Sequence, residues 1–346
     1  MKKLPVSVCM ITRNNEATID KCLSSLYNIF DETVIVDTGS TDATLEVAGK
    51  YTSNISEFHW NNDFAQARNY AVSKAQHNFI FSIDSDESLK SMDETQLLNF
   101  IDTNHDNCIG QIEILNLQED GTFQHDHVSR IFNREHFHFE GTVHEQLVPE
   151  NHRIIPLKIQ IVHYGYADKA ANIRKAGIYR KMLLAELEEK PDDGYILYQI
   201  GRTYDIEKNY SKAADAYTAA ICHTPDHNLS YFRSCLDELC YALINISKPE
   251  TAADIINKIG YPYEDADGYF LFGHLYMNLG NFSEAVKCFE KATTFKNCSR
   301  PGANSFAACY NAGVIYEVLG FKEQAIESYR RCGNYEKAVK RLETLE

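Results

Sequence analysis

Apolar residues follow two rhythms along this chain, and the rhythm changes near residue 170. Residues 6–12 form an apolar, β-branched run that predicts a buried strand. Ile19, Cys22, Leu23 and Leu26 then fall on one face of a predicted helix. Residues 33–37 (T-V-I-V-D) predict a second buried strand, and Gly39-Ser40-Thr41-Asp42 a turn into a helix with three capable N-cap residues. Phe64, Ala67 and Ala71 keep helical step over 63–74, and 79–83 (F-I-F-S-I) reads as a third buried strand running into Asp84. A β-α-β-α-β order builds a mostly parallel sheet with helices on both faces. Ligands of such sheets gather where the strands end, which is where Thr12, Asp37 and Asp84-Ser85-Asp86 fall.

Beyond residue 170 the pattern is helical and repeats itself. Gly201, Tyr204, Ala213, Tyr217 and Ala220 fit the spacing G-x2-Y-x8-A-x3-[FY]-x2-A, with Pro225 closing the unit. Gly273, Tyr276, Ala285, Phe289 and Ala292 fit again, and Gly313, Tyr316, Ala325 and Tyr329 a third time. Cys240, Leu243, Ala252, Ile256 and Ile259 form a degenerate copy between the first two, and 335–345 predicts a capping helix. Three copies in register identify tetratricopeptide repeats. Small residues let paired helices approach and aromatics fill the space between them. Such an array is either scaffold or a surface for a peptide or a second subunit. Tyr198, Tyr204, Tyr231, Phe232, Tyr269 and Phe270 read as more aromatics than the interiors need, suited to a dimer interface or a peptide groove.

The chain of 346 residues is divided accordingly at 1–170 and 171–346, joined through 167–173. A net charge of -15 excludes a phosphate backbone as a general partner and disfavours anchoring on anionic lipid. No apolar stretch approaches the length of a transmembrane helix. The apolar run after Met1-Lys2-Lys3 breaks at Arg13-Asn14-Asn15-Glu16 with no small-residue cleavage site before it, so it reads as a strand and the cytoplasm as the compartment. Ten cysteines without a CxxC pair fit a reducing environment.

Asp84 and Asp86, two apart on a turn leaving a sheet edge, can share a divalent cation with a phosphate; oxygen ligands suit magnesium or manganese. Arg68 can fork onto phosphate oxygens, or be an exposed arginine on a helix face. His125, His127, His136 and His138 form two H-x-H pairs, read as alternating hairpin residues beside an acceptor site rather than as zinc ligands.

Four motifs together resemble the family-2 glycosyltransferases, nucleotide-sugar enzymes of the GT-A fold: Thr12-Arg13-Asn14-Asn15-Glu16, V-D-T-G-S-T-D-x-T at 36–44, F-A-x-A-R-N at 64–69 and D-S-D at 84–86. The resemblance covers residues 5–165. With the repeats, F-x-G-x-V-H-E at 139–145 and H-x-G-Y at 163–166, it narrows to the sublancin-type S-glycosyltransferases of bacteriocin peptides. It implies a Rossmann-like mixed-sheet GT-A domain followed by an all-α repeat domain. It implies that Thr12, Arg13 and Glu16 line the nucleoside pocket, that Asp37 accepts a bond from uracil, and that Arg68 holds the diphosphate. Asp84 and Ser85 would lie along the nucleotide-sugar, with Asp84 at the ribose, while Asp86 and His163 would hold the metal, Mn2+ or Mg2+. His144-Glu145 stands where the family has Glu-Asp, which leaves the general base open between the two. The implied reaction is inverting transfer of a hexose, glucose by resemblance, from UDP to a Cys or Ser of a peptide, by a homodimer. The alternatives are a transferase acting on envelope or lipid-linked glycan, and a repeat adaptor whose catalytic domain is inactive.

Overall fold

The structure, a computed structural model, describes residues 3–103, 107–117, 123–149, 152–164, 169–261 and 264–345. It divides into two compact units, Met1–Leu183 and Leu184–Glu346. The division falls inside a long helix (α5, Lys169–Glu189), whereas the sequence pattern places it at 170/171. The reason lies in Tyr179 of that helix, which packs edge-on against Phe64 of the first unit at 5.8 Å between ring centres.

The first unit carries β1 (Leu4–Thr12), α1 (Ile19–Leu26), β2 (Phe30–Asp37), α2 (Thr44–Ala48), β3 (Ile55–Glu57), α3 (Phe64–Ser73), β4 (Phe79–Ser82) and β5 (Glu87–Met92). There follow α4 (Glu94–Thr103), β6 (Cys108–Leu117), β7 (Phe123–Asn133), β8 (His138–Glu140), β9 (Gln146–Val148) and β10 (Arg153–His163). Strands order as β3-β2-β1-β4-β7-β6-β10-β5 in one sheet, with β8-β9 a separate hairpin. The first four run parallel, as the alternation of strand and helix predicts; β7 and β5 run antiparallel to their neighbours and make the sheet mixed.

Both faces of the sheet are covered, which explains the unbroken apolar strands. Alternate residues of β1 serve opposite sides. Val6, Val8 and Met10 pack with Ile19, Leu23 and Leu26 of α1, while Cys9 packs with Ala71 and Val72 of α3. Helix α3 begins where Asp63 accepts a bond from the Gln66 amide, a side-chain N-cap.

The second unit holds α6 (Gly194–Ile206), α7 (Tyr210–Cys222), α8 (Ser230–Asn245), α9 (Pro249–Ile259) and α10 (Ala266–Asn278). It continues with α11 (Phe282–Ala292), α12 (Phe306–Val318), α13 (Lys322–Arg330) and α14 (Glu336–Leu345), the expected cap. The helices pair as the repeat spacing requires. A Cβ on Gly201 of α6 would lie 2.4 Å from the Tyr217 ring of α7, and Gly273 meets Phe289, and Gly313 Tyr329, in the same way. Asn209 and Asn281 occupy equivalent turns and each caps the helix that follows.

The repeat aromatics correct one expectation. Tyr198, Phe232 and Phe270 are buried, and Tyr198 stacks on Tyr231 at 5.6 Å. Tyr204 and Tyr231 pack against one repeat core and Tyr269 against the next. Three of the six rings are thus taken up in the repeat cores, and Tyr204, Tyr231 and Tyr269 are half-buried against them.

Replacing Gly201 by Ala should lower stability by about 1–3 kcal/mol through overpacking, although Ala is the better helix former. Thermal melts followed by circular dichroism check this; an unchanged or raised melting temperature contradicts the packing described.

Candidate active site

Because β1, β2 and β4 are parallel, the segments after Thr12, Asp37 and Ser82 leave the sheet at one edge. Three of the sequence motifs meet there through side-chain to backbone bonds. Asn14 takes a left-handed conformation (φ 52°), and its amide oxygen accepts from the Thr41 amide at 2.8 Å. The Glu16 carboxylate accepts from the Ala43 amide at 3.0 Å, and Asp42 accepts from the Thr44 amide at 3.0 Å, closing the start of α2. The Ser85 hydroxyl donates to the Asn15 amide oxygen at 2.7 Å and accepts from Thr12 Oγ1 at 3.1 Å. Arg13 stands exposed at this edge.

Asp37 is already engaged in its own turn. Its side chain is buried, Oδ2 accepts from the Gly39 and Ser40 amides at 3.1 and 2.9 Å, and Oδ1 accepts from the Ser40 hydroxyl. The carboxylate folds its own turn.

Arg68 departs from expectation more sharply. It is neither an exposed helix-face arginine nor open to a diphosphate. Its guanidinium is buried and donates from Nε to Glu145, from Nη1 to Ser82 Oγ at 3.2 Å and from Nη2 to Asp84 Oδ1 at 2.7 Å. The helix carrying it reaches the 139–145 loop twice more. Asn69 and the Phe139 backbone bond in both directions, at 2.8 and 2.9 Å, and the Phe64 amide donates to the Thr142 carbonyl at 2.9 Å. F-A-x-A-R-N is thus the device that brings the H-E loop to the D-S-D turn.

Two further members of the cluster escape the motif reading. Arg130 on β7 donates to Asp84 Oδ2 at 3.0 Å and to Glu87 Oε1 at 2.9 Å. Phe81 of β4 pairs with Ile131, which sets Arg130 at the same sheet edge. Glu87 is buried, and its second oxygen accepts from the Asp84 amide at 2.9 Å. Its one sequence signal is its place, three residues after Asp84. Two guanidiniums therefore face three carboxyls. Burial would raise the Asp84 carboxyl, but Arg68 and Arg130 outweigh it and hold the group well below the usual carboxylate range. Burial pushes Glu87 up to about 7, against the pull of Arg130 and with the push of Asp84.

Asp86 and His163, the expected metal ligands, are brought together. His163 ends β10 opposite Glu87, and its Nε2 lies 3.4 Å from Asp86 Oδ2. Burial lowers the affinity of His163 for a proton, but Asp86, Glu87 and Asp84 outweigh it and the net direction is upward. Two lone-pair atoms this close need a positive charge between them, a proton or a cation. Adjacent donors around a six-coordinate cation with bonds of about 2.1 Å stand about 3 Å apart. One carboxylate and one imidazole therefore fit manganese or magnesium that completes its shell with phosphate oxygens and water. No group of three or more His, Cys, Asp or Glu suited to a metal gathers among the described residues.

The H-E pair does not alternate as on a strand. His144 has φ 59°, left-handed, and its ring meets Tyr179 at 6.1 Å. Glu145 binds Arg68 through Oε1, and Oε2 accepts nothing from the described residues. Tyr179, whose place nothing in the motifs announces, is pushed up to about 12 by burial and by Asp84, Glu145 and Asp86. The four histidines lie apart: His125 and His127 on β7, with His125 against Glu113 at 2.6 Å, His136 in a turn, and His138 on β8 against Glu140. Gly165 and Tyr166 of H-x-G-Y, and much of the 167–173 segment, lie outside the described residues.

The model of glycosyl transferase family 2 matches residues 7–167. Residues 7–167 are a family 2 glycosyltransferase domain. Its GT-A-like mixed sheet is followed by tetratricopeptide repeats, for which the family model matches 266–297 and 306–332. A TPR repeat-containing protein of Synechococcus elongatus is 29% identical over 208 residues, covering 57% of this chain and 51% of that protein. The SPbeta prophage-derived glycosyltransferase SunS of Bacillus subtilis is 25% identical over 250 residues, covering 69% of this chain and 59% of SunS. The chain thus spans between half and three-fifths of these relatives. Among solved structures, YrrB, a TPR protein with an unusual peptide-binding site, aligns at a TM-score of 0.40 and 20% identity over 52% of this chain and 89% of its own. No helix among the described residues is long and apolar enough to cross a membrane.

Arg68→Leu leaves the half-buried Glu145 without its cation, while Asp84 keeps Arg130, and should lower the unfolding free energy of the glycosyltransferase domain by about 3 kcal/mol. Arg68→Lys should recover only part, because an ammonium cannot fork between Glu145 and Asp84. Urea denaturation reads both; a wild-type midpoint for Arg68→Leu contradicts the brace.

Proposed function

We propose that this protein transfers a hexose with inversion from UDP to a Cys or Ser side chain of a peptide. The observation that supports it most is the arrangement at the sheet edge, where Arg68 draws Glu145 to the D-S-D turn and Asp86 faces His163. Family 2 membership of residues 7–167 supports sugar transfer and the likeness to SunS a peptide acceptor, while UDP-glucose as donor rests on the resemblance of the motifs.

In this reading Thr12, Arg13 and Glu16 border the nucleoside. Arg13, exposed at the edge, replaces buried Arg68 as the cation nearest the phosphates. Asp84, fixed by Arg68 and Arg130, presents the exposed part of its side chain to the ribose, with Ser85 beside it. Asp86 and His163 hold a divalent cation, which when bound supplies positive charge to the departing diphosphate. Glu145 is the general base: Arg68 fixes one oxygen and the other accepts the acceptor's proton. His144, left-handed beside Tyr179, shapes the acceptor mouth. A thiol ionises near 8.5 and needs less help than a hydroxyl. A homodimer belongs to the proposal on the resemblance to the sublancin-type enzymes alone.

Purified protein with Mn2+ should release UDP from UDP-glucose, and Asp86→Ala should reduce this by roughly 100-fold or more. Glu145→Gln should reduce transfer to a serine peptide by roughly 100-fold and to a cysteine peptide by less, with UDP affinity kept. His144→Gln should cost little by comparison. A full rate for Asp86→Ala, or a larger loss for His144→Gln than for Glu145→Gln, overturns the assignments. Light scattering at twice 39.5 kDa supports the dimer, and a fully active monomer refutes it.

A further inference from the structure

We propose that Asn116 and Asp126 are positioning residues that hold His163 in the one tautomer a cation can use. The inference rests on the reading of Asp86 and His163 as protein donors to that cation. Neither Asn116 nor Asp126 belongs to any motif of the site.

A chain of hydrogen bonds crosses three strands and fixes the direction of each donor. Asn116 on β6 pairs in register with His163 on the parallel strand β10, and Ile114 of β6 pairs with Asp126 on antiparallel β7. An ionised carboxylate only accepts. The Asp126 side chain therefore takes the Asn116 Nδ2–H, at 2.8 Å from Oδ2. That fixes which way the Asn116 amide faces, and its carbonyl oxygen stands 2.9 Å from His163 Nδ1. A carbonyl oxygen also only accepts, so Nδ1 must carry a hydrogen. Nε2 is then the atom of the neutral ring that keeps a lone pair, and Nε2 is the atom that faces Asp86, at 3.4 Å. Turning the buried Asn116 amide would set an N–H against the Nδ1–H and a carbonyl oxygen against the Asp126 carboxylate. The Tyr164 amide donates to the Asp86 carbonyl at 3.0 Å and keeps the end of β10 beside the D-S-D turn. A histidine ligand is normally fixed by a partner on its other nitrogen, and loss of such a partner lowers metal affinity. Here the partner is an amide whose own orientation an acidic residue sets.

The test titrates Mn2+ into the full chain in the presence of UDP and reads free Mn2+ by electron paramagnetic resonance. Asn116→Leu should weaken Mn2+ by roughly 10–100-fold, and Asp126→Ala should weaken it in the same direction by less, since the amide is then free to turn. On a His163→Ala background, Asn116→Leu should cost nothing further, because its effect passes through the ring. Nitrogen-15 chemical shifts of His163 in the protein loaded with Mg2+ and UDP should report the Nδ1–H tautomer, with that form less populated in Asp126→Ala. Wild-type affinity in folded Asn116→Leu overturns the proposal, as does an equal loss on both backgrounds or an Nε2–H ring in the wild type. If Asn116→Leu does not fold, exposed Asp126 and the nitrogen shifts decide alone. If His163→Ala itself leaves Mn2+ binding unchanged, the metal reading fails and this inference with it. If only the Asn116 and Asp126 variants bind normally, the metal reading stands and this inference is wrong.

Discussion

A buried guanidinium holding two carboxylates from distant parts of the chain is the constraint on which the rest of this site depends. Arg68 reaches Asp84, sixteen residues on, and Glu145, seventy-seven residues on, from one turn of α3. A buried charge without partners costs several kcal/mol, so the guanidinium demands both carboxylates, and they in turn demand it. The loop that carries Glu145 has little secondary structure of its own, and α3 supplies its anchors through Phe64, Arg68 and Asn69. What positions the candidate base is therefore a helix rather than the loop, which is the rigidity that proton transfer at a fixed distance requires.

The same economy governs the other side of the site. Asp84 is gripped from both sides by Arg68 and Arg130, so the turn between β4 and β5 has one arrangement and Asp86 emerges from it facing His163. The strand order explains why these residues meet at all. β10 lies between β6 and β5, so its last residue arrives beside the turn that begins β5. Charge is concentrated where the chemistry proposed here needs it, and burial and Asp84 raise Glu87 toward its neutral form, against the pull of Arg130.

Much of this was legible in the residues themselves. The apolar runs at 6–12, 33–37 and 79–83 became β1, β2 and β4, because a strand buried on both faces has no polar alternation to obscure it. The repeats were legible because Gly201 and Tyr217 must be complementary in shape, and the same pair recurs twice more. Asp86 and His163 lie 3.4 Å apart. What stayed hidden depends on long-range register. Arg130 and Asn116 look like ordinary strand residues until the pairing of β7 with β4 and of β6 with β10 is known. Arg68 carries the right chemistry for phosphate, but local geometry gives its guanidinium to Glu145, Ser82 and Asp84, and Asp37 is in part committed to its own turn. A motif states which side chains are present, and only packing states which of them face outward.

The claim that Arg68 braces Glu145 is tested most directly by a double-mutant cycle in stability. Arg68→Leu, Glu145→Gln and the double variant would be unfolded in urea and their free energies combined. The account predicts that the two changes are strongly non-additive, with a coupling of about 1–3 kcal/mol, because each removes the other's partner. Additivity within about 0.5 kcal/mol would mean that the two side chains do not depend on each other, and would contradict the account.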